Sequence, residues 1–236
     1  MTARADTAAL IKEASAPYWA ADPYAYFLAR GKLRGDPAFA GILRQGLLSG
    51  CKRILDLGCG QGLLASWLLA ARSHAQEGAW PAEWPVAPQP TSIRGIDLRE
   101  CAVRRARQAL GQSAEFEVGD IREAEYRTAD AIVILDVLHC IDYGAQERVL
   151  ERAHAALASG GVLLLRVADA DGGMRFAIGK YFDQTVLTAR ARRPSKVYCR
   201  SAREWLNVLA AGGFHTEVVP MSAGTPFANV MLIAHP

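Results

Sequence analysis

The chain has 236 residues, of which 51% are hydrophobic, with 27 basic and 24 acidic side chains and a formal net charge of +3. This length is enough for one domain with a sizeable core, and the composition excludes a disordered chain, a collagen and a coiled coil. The small net charge also argues against a dedicated DNA-binding protein, which usually carries a larger basic excess.

The cysteines and the N-terminal segment favour a soluble, cytoplasmic protein. The five cysteines are scattered, with no CxxC pair and no spacing typical of a metal site, as is usual in a reducing compartment. The first residues include Asp6 and Glu13 and lack the continuous apolar segment of a signal peptide. The longest apolar stretch, 63–71, is too short to span a bilayer. We therefore expect no membrane association.

Short strand patterns alternate with helical patterns along most of the chain, which is typical of a parallel sheet with crossover helices. The fourth and fifth strands are almost continuously apolar, as expected for central strands covered on both faces. The last helix starts with a capping box, Ser201 and Glu204, and ends at two glycines. Strands are predicted at 53–57, 93–97, 114–118, 129–135, 161–167, 214–219 and 229–234, and helices at 63–72, 99–110, 145–157 and 202–211.

Two segments interrupt this alternation. Residues 74–92 hold four prolines and two tryptophans, and they are predicted to form a surface insertion because proline breaks both helix and sheet. Residues 169–200 follow the fifth strand and contain a helical stretch at about 174–190. Because ligands bind at the carboxyl ends of parallel strands, this segment is a candidate lid. We expect the whole chain, 1–236, to form one domain.

A glycine-rich loop follows the first predicted strand. Asp56 ends the apolar run, and Gly58, Gly60 and Gly62 then lead into a helix. Glycine suits these positions because it adopts positive φ and lets a ligand approach the backbone. The dinucleotide-binding pattern would be GxGxxG, whereas the spacing here is GxGxG with an acid before it.

The sequence LDLGCGQG at 55–62 resembles motif I of class I S-adenosylmethionine-dependent methyltransferases. The resemblance covers roughly 50–236 and implies an α/β fold with a doubly wound, seven-stranded, mainly parallel sheet and an antiparallel C-terminal strand pair. It also implies S-adenosyl-L-methionine as the cofactor. The implied contacts in the loop are Asp56, Gly58, Cys59, Gly60 and Gly62.

Two further strand ends are similar to cofactor-binding positions of that family. An acid at the end of the second strand, Asp97, is placed to accept two hydrogen bonds from a ribose diol. The resemblance implies that Asp97 binds the cofactor ribose and that Leu98 packs on the adenine, although Asp97 would also serve as a helix cap. After the third strand, Asp120 and Ile121 match the family's adenine-binding acid and the backbone amide beside it, but this sequence is also typical of a simple turn.

The end of the fourth strand, from Leu135 through Asp136 to His139, resembles the strand end that lines the methyl-transfer site of the family, which implies a cofactor contact at Leu135 and catalytic roles for Asp136 and His139. Its VLH sequence resembles the branch that acts on small molecules, and the Asn/Asp-Pro-Pro-Tyr motif of amino-group chemistry is absent. His139 is the first candidate for a base that activates a hydroxyl or an aromatic carbon, with packing as the alternative role. Asp136 and Asp169 are expected at one rim, but the metal-binding Asp-Asn pair of catechol-type enzymes is not matched by Asp169 and Ala170. No metal site is predicted.

The N-terminal residues 1–50 are expected to form a helical cover, since N-terminal helices of this family commonly lie over the cofactor. Tyr18 is a candidate to face the sulfonium, and Arg30, Lys32 or Arg34 to bind the methionyl carboxylate. The alternative is an amphipathic helix whose side chains only pack on the sheet. The segment GKLRGDP is similar to methyltransferases of aryl-polyene biosynthesis, which would imply an aromatic acyl acceptor, including a carrier-bound one.

Basic residues are concentrated near the end of the candidate lid. Such a cluster would attract an anionic substrate or an acidic carrier protein, although charge runs are usually solvated faces. Residues 184–203 contain no acidic side chain and six basic ones: Arg190, Arg192, Arg193, Lys196, Arg200 and Arg203.

Together these features predict a methyltransferase that moves a methyl group to oxygen or carbon of a small-molecule or carrier-bound acceptor. It would act as a monomer or homodimer, with no nucleic-acid or membrane partner. Two alternatives remain: an NAD-dependent oxidoreductase, which the GxGxG spacing disfavours, and a non-catalytic cofactor-binding protein of the same fold.

Overall fold

The strands form one seven-stranded sheet in the order β3-β2-β1-β4-β5-β7-β6 in the computed structural model, which describes residues 2–191 and 196–236. β1 to β5 are parallel, and β7 runs antiparallel to both β5 and β6. The predicted fold class is therefore confirmed. The strands are β1 (Arg53–Leu57), β2 (Ser92–Asp97), β3 (Glu115–Val118), β4 (Ala129–Leu135), β5 (Leu157–Ala168), β6 (His215–Pro220) and β7 (Asn229–His235).

Several helices are preceded by an N-cap residue whose side chain accepts a hydrogen bond from a backbone amide of the first turn. Asp22, Asp36, Asp142 and Ser201 have this role, which satisfies amides that have no partner within the helix. No helix of the described chain has an apolar stretch long enough to cross a membrane. The helices are α1 (Thr2–Ser15), α2 (Pro23–Gly35), α3 (Pro37–Arg44), α4 (Leu63–Gln76), α5 (Glu100–Leu110), α6 (Tyr143–Ala156), α7 (Gly173–Ala191) and α8 (Ala202–Ala211).

Most differences from the predicted bounds have local causes. β5 begins at Leu157 rather than 161, because Leu157 pairs with Ala129 ahead of a register shift, and regular pairing resumes at Val162 opposite Ala131. α6 begins at Tyr143 because Asp142 caps it. The Pro/Trp segment was predicted from 74, but α4 continues to Gln76.

The core lies on both faces of the sheet. One apolar cluster joins α1 to α5 to one face, and the other joins α6 and α8 to the opposite face. We call α1 to α3 the N-terminal cover. It is anchored on α4, where the Trp67 indole donates to the Phe39 carbonyl at 2.8 Å and the Ser66 hydroxyl to the Ala14 carbonyl at 2.6 Å.

The chain changes sides at β1, whose neighbours are β2 and β4. In doubly wound sheets, ligands bind outside the carboxyl ends of the strands at this switch point. The loops after β1, β2, β3 and β4 are therefore the place for a functional site.

Candidate functional site

The loop after β1 has the predicted left-handed backbone, with φ of 83° at Gly58, 59° at Gly60 and 78° at Gly62. A Cβ at Gly58 would lie 2.2 Å from the Val137 side chain, and one at Gly62 would lie 2.7 Å from the Phe116 ring. These two glycines are required by packing. A Cβ at Gly60 would meet only the flexible Arg99 guanidinium, at 3.3 Å. Gly60 is thus the point at which a ligand has access to the loop backbone.

The end of β2 is tied to this loop through Asp97. Its buried carboxylate accepts hydrogen bonds from the Gly60 amide at 2.8 Å and from the Arg99 amide and Nε at 2.9 and 3.0 Å. Apolar side chains at the neighbouring strand ends are in contrast left in solvent: Leu98 is 68% exposed and Val118 is 42% exposed. A flat apolar ligand group would bury both.

The loop after β3 is held by arginines. The Asp120 carboxylate accepts from Arg122 Nε at 3.0 Å, and this hydrogen bond lowers the Asp120 pKa. Arg152 donates to the carbonyls of Ile121, Arg122 and Ala124, so it fixes the course of the loop. Ile121 is buried in the core beneath it. The structure therefore places Asp120 and Ile121 at the expected edge, with the Asp120 side chain paired to Arg122.

Asp56 is buried at the end of β1. Burial raises its pKa to about 7, and the charge of Asp97 adds to this effect while Lys32 opposes it. A buried carboxylate is costly to ionise unless a cation approaches it. This position is suited to a cationic group of a ligand.

The N-terminal cover reaches the site through two side chains. Tyr18 is fully buried, and its hydroxyl donates to the Gln61 carbonyl at 2.8 Å, so it supports the glycine loop. Lys32 lies 3.8 Å from the Asp36 carboxylate, and its charge opposes the effect of burial on the pKa values of Asp56, Asp136 and Asp183.

The other two basic candidates of the cover do not share this position. Arg30 and Arg34 are each two residues from Lys32, and residues with that spacing do not share a helix face. All three side chains are exposed. Lys32 therefore lies on the face of α2 that approaches the site carboxylates, and Arg30 and Arg34 lie on another face.

The end of β4 holds an ion pair that the sequence did not indicate. Asp136 has a positive φ of 57°, and its carboxylate accepts from Arg166 Nε at 2.8 Å. Although burial alone would raise the Asp136 pKa, the Arg166 guanidinium holds it below its ordinary value. Arg166 lies in β5, is 4% exposed, and also donates to Asp36 at 2.9 Å. The sequence feature that could have indicated this ion pair is the single charged residue, Arg166, within an otherwise apolar strand.

His139 follows one turn after Asp136. Its Nε2 lies 4.0 Å from the Asp183 carboxylate on α7, and burial raises the Asp183 pKa while His139 opposes this. The His139 carbonyl accepts a hydrogen bond from the Tyr198 amide at 2.9 Å. The side-chain amide of buried Gln146 donates to the carbonyls of Leu138 and Tyr198. The backbone around His139 is therefore fixed. Nothing in the sequence indicated Asp183 as its partner.

The second predicted rim acid has a different role. Asp169 accepts from the amides of Asp171 at 3.0 Å and Ala202 at 2.9 Å, so it holds the start of α8. Residues 2–191 and 196–236 contain no group of three or more His, Cys, Asp or Glu side chains that would hold a metal ion.

The predicted basic cluster is described in part. Arg200 pairs with Glu147 at 2.6 Å and lies over the rings of Tyr143 and Trp205, so it stabilises the fold. Arg203 is exposed. Arg192 and Arg193 lie outside the described residues.

Comparisons with known proteins find similar domains. The family described as methyltransferase domain matches residues 13–218. A carboxy-S-adenosyl-L-methionine synthase of Chromohalobacter salexigens is 34% identical over 117 residues, which are 48% of this chain and 38% of that protein. A ribosomal RNA small subunit methyltransferase C of the same organism is 35% identical over 120 residues, 48% of this chain and 31% of that protein. The match thus spans about a third of the length of these curated relatives.

The fold also has close counterparts among solved structures. An O-methyltransferase family protein from Burkholderia thailandensis superposes with a TM-score of 0.65 at 19% identity, over 91% of this chain and 60% of that one. At this identity the likeness concerns the fold.

Proposed function

Because this chain belongs to the methyltransferase domain family, with the fold of the class I S-adenosyl-L-methionine-dependent enzymes, we propose that it methylates a hydroxyl oxygen of a small-molecule acceptor. When bound, S-adenosyl-L-methionine supplies an already electrophilic methyl group. The tasks left to the protein are to orient the acceptor, exclude water and remove the hydroxyl proton. The acceptor would be free or attached to an acyl carrier, and the protein would work in the cytoplasm.

The residues at the carboxyl edge of the sheet fit this cofactor. Asp97 would accept hydrogen bonds from the ribose hydroxyls, and the exposed Leu98 would cover the adenine. Buried Asp56 would face the methionyl ammonium, and Lys32 would bind the carboxylate. The accessible backbone of Gly60 lies between them in the loop.

Other predicted contacts take a supporting role in this proposal. Asp120 and Ile121 would form the edge of the adenine site. Tyr18 would hold the loop through the Gln61 carbonyl instead of facing the sulfonium, because its ring is fully buried.

The observation that carries the acceptor chemistry is the ion pair of His139 Nε2 with the Asp183 carboxylate, 4.0 Å apart after the end of β4. An imidazole next to a carboxylate is suited to take a proton from a hydroxyl, because the carboxylate attracts the imidazolium that forms. Asp136 is not assigned this role, since its carboxylate is occupied by Arg166. The solved O-methyltransferase of the same fold supports an oxygen acceptor.

The test is product analysis with a labelled methyl donor. The purified chain is incubated with S-adenosyl-L-methionine and a panel of phenols, aromatic acids, acyl thioesters and amines, and formation of S-adenosylhomocysteine is followed. We expect turnover with a hydroxyl acceptor. For His139→Gln, kcat should fall about 100-fold or more with the affinity for S-adenosylhomocysteine unchanged.

A matched control is available between α1 and α4. His74 Nε2 lies 2.7 Å from the Glu13 carboxylate, so His74→Gln breaks a similar histidine–carboxylate pair away from the site. It should leave kcat unaltered. Methylation of amines alone would contradict the acceptor assignment, and cofactor binding without any turnover would indicate a non-catalytic protein. Binding of NADH in place of S-adenosylhomocysteine would contradict the proposal as a whole.

A further inference from the structure

Arg166 joins two parts of the molecule that are far apart in the sequence. Its buried guanidinium pairs with Asp136 at the end of β4 and with Asp36, the residue between α2 and α3. Both carboxylates are bound by more than one guanidinium nitrogen. Hydrogen bonds between charged groups with this geometry are among the stronger polar contacts in proteins.

Asp36 fixes the position of the cover helix α2. Its carboxylate accepts from the Ala38 amide at 3.0 Å and caps α3, and its own amide donates to the Lys32 carbonyl at 2.9 Å. The pair with Arg166 therefore attaches the end of α2, which carries Lys32, to the sheet.

Asp136 fixes the turn that leads to His139. Its amide donates to the Arg166 carbonyl at 3.2 Å, and the next residue, Val137, packs against Gly58 of the glycine loop. One guanidinium thus connects the cover, the glycine loop and the strand end that precedes His139.

The balance of charges around Arg166 allows Asp36, but not Arg166, to be neutralised at low cost. Two carboxylates face one guanidinium, and Lys32 Nζ lies 3.8 Å from Asp36. Without the Asp36 charge, Arg166 still has Asp136 as its counterion. Without Arg166, two half-buried carboxylates would be left close together without a counterion, which is more costly.

We propose that the Arg166–Asp36 ion pair is a latch that holds α2 and Lys32 against the carboxyl edge of the sheet, and that opening this latch limits how fast the cofactor leaves. Asp36 and Arg166 are positioning residues, because they act through α2 and Lys32. The second half of the inference rests on the proposed cofactor site, whereas the first half concerns the protein alone.

The informative variant is Asp36→Asn. Asparagine caps helices about as well as aspartate, so the α3 cap is retained while the ion pair is lost. Asp22→Asn is the matched control, because Asp22 caps α2 through the Ala25 amide at 2.8 Å and pairs with Arg105 of α5 at 2.7 Å, at the opposite end of α2 from Asp36. Both variants neutralise a capping carboxylate of the cover and break one arginine pair.

The first measurement needs no cofactor. Trypsin cleaves after Lys32 and Arg34, which both lie in α2, and cleavage requires the helix to open locally. Asp36→Asn should be cut there about tenfold faster than wild type, and Asp22→Asn within about twofold of wild type. Asp36→Glu, which keeps the charge, should restore most of the protection. Melting temperatures identify any variant that has lost the whole fold.

The second measurement is the rate at which S-adenosylhomocysteine dissociates, followed by stopped-flow tryptophan fluorescence. Asp36→Asn should release it about tenfold faster, with Asp22→Asn unchanged. Equal effects of the two variants, or unaltered cleavage of Asp36→Asn, would overturn the latch. Faster cleavage with unaltered release would overturn its role in cofactor exit. A wild-type chain that binds no S-adenosylhomocysteine would refute the proposed function, and the trypsin result would still decide whether the latch exists.

Discussion

Replacement of Asp97 by asparagine is the most direct test of the cofactor site. The carboxylate has one oxygen bound by Gly60 and both oxygens within reach of Arg99. Asparagine keeps a carbonyl oxygen for the Gly60 amide but turns the other acceptor into a donor. The variant thus loses about one charge-assisted hydrogen bond to a ribose hydroxyl, which contributes about 1.5–3 kcal/mol.

Part of this loss is offset in the free protein. Ribose binding to the wild type competes with the Asp97–Arg99 pair, and because Arg99 is 43% exposed this pair contributes only about 0.5 kcal/mol. The variant has no such pair to give up. The net effect is about 1–2.5 kcal/mol, or an increase of about 5- to 60-fold in the Kd for S-adenosylhomocysteine.

Calorimetric titration with S-adenosylhomocysteine measures this change, with Asp130→Asn as the control. Asp130 accepts from the Lys52 and Arg53 amides at 2.9 Å and pairs with the Arg53 side chain, but it lies at the amino edge of the sheet. Asp130 thus makes the same kinds of amide and arginine contacts as Asp97, but away from the proposed ligand. The Kd of Asp130→Asn for S-adenosylhomocysteine should therefore stay within about twofold of the wild-type value. An Asp97→Asn protein that binds as tightly as wild type, or an Asp130→Asn protein that is weakened equally, would refute the ribose assignment.

Three further predictions concern the end of β1 and the loop after it. The pKa of Asp56 is raised to about 7, so a bound ammonium should expel a proton from Asp56 near pH 6. Affinity should therefore rise with pH through 7, and Asp56→Asn should lose this dependence; calorimetry in two buffers of different ionisation enthalpy measures the released proton. Because ionisation of Asp56 destabilises the fold between its ordinary pKa of 3.8 and about 7, Asp56→Asn should also melt higher than wild type at pH 8, and an equal or lower melting temperature would contradict the raised pKa. Gly58→Ala should destabilise the fold by about 2–4 kcal/mol, because alanine disfavours positive φ and its Cβ would clash with Val137. Gly60→Ala should destabilise the fold by only about 1–2 kcal/mol but weaken cofactor binding. Denaturant unfolding that ranks the two variants in the opposite order would refute these separate roles of Gly58 and Gly60.

The features predicted from the sequence are those that depend on local patterns. Apolar strands followed by helices indicated the parallel sheet, and alternate glycines after β1 indicated the left-handed loop. The capping box at Ser201 and Glu204 gave α8 its observed first residue. Each of these signals lies within a few residues of the element it specifies, so no knowledge of tertiary packing was needed.

The contacts that could not be predicted depend on how helices dock. A counterion for Arg166 could be expected, because a charged side chain inside an apolar strand is normally paired. The sequence has 24 acidic residues, however, and no local pattern selects Asp36 and Asp136 among them. Asp183 reaches His139 only because α7 lies over the end of β4. Likewise, the choice of Lys32 over Arg30 and Arg34 follows from which face of α2 meets the sheet.

The carboxylates at the ends of β1 and β4 show how this docking affects the two strand ends differently. Burial alone would raise the pKa of both Asp56 and Asp136, yet only the pKa of Asp56 is raised, because Arg166 pairs with Asp136. Asp136 therefore remains anionic and bound across the neutral range, which suits a structural support and not a base. Asp56 keeps its negative charge near neutral pH most readily when a cation is beside it, as the methionyl ammonium would be. In the proposed mechanism His139 would therefore accept the proton, and its partner Asp183 comes from α7 and not from the strand ends.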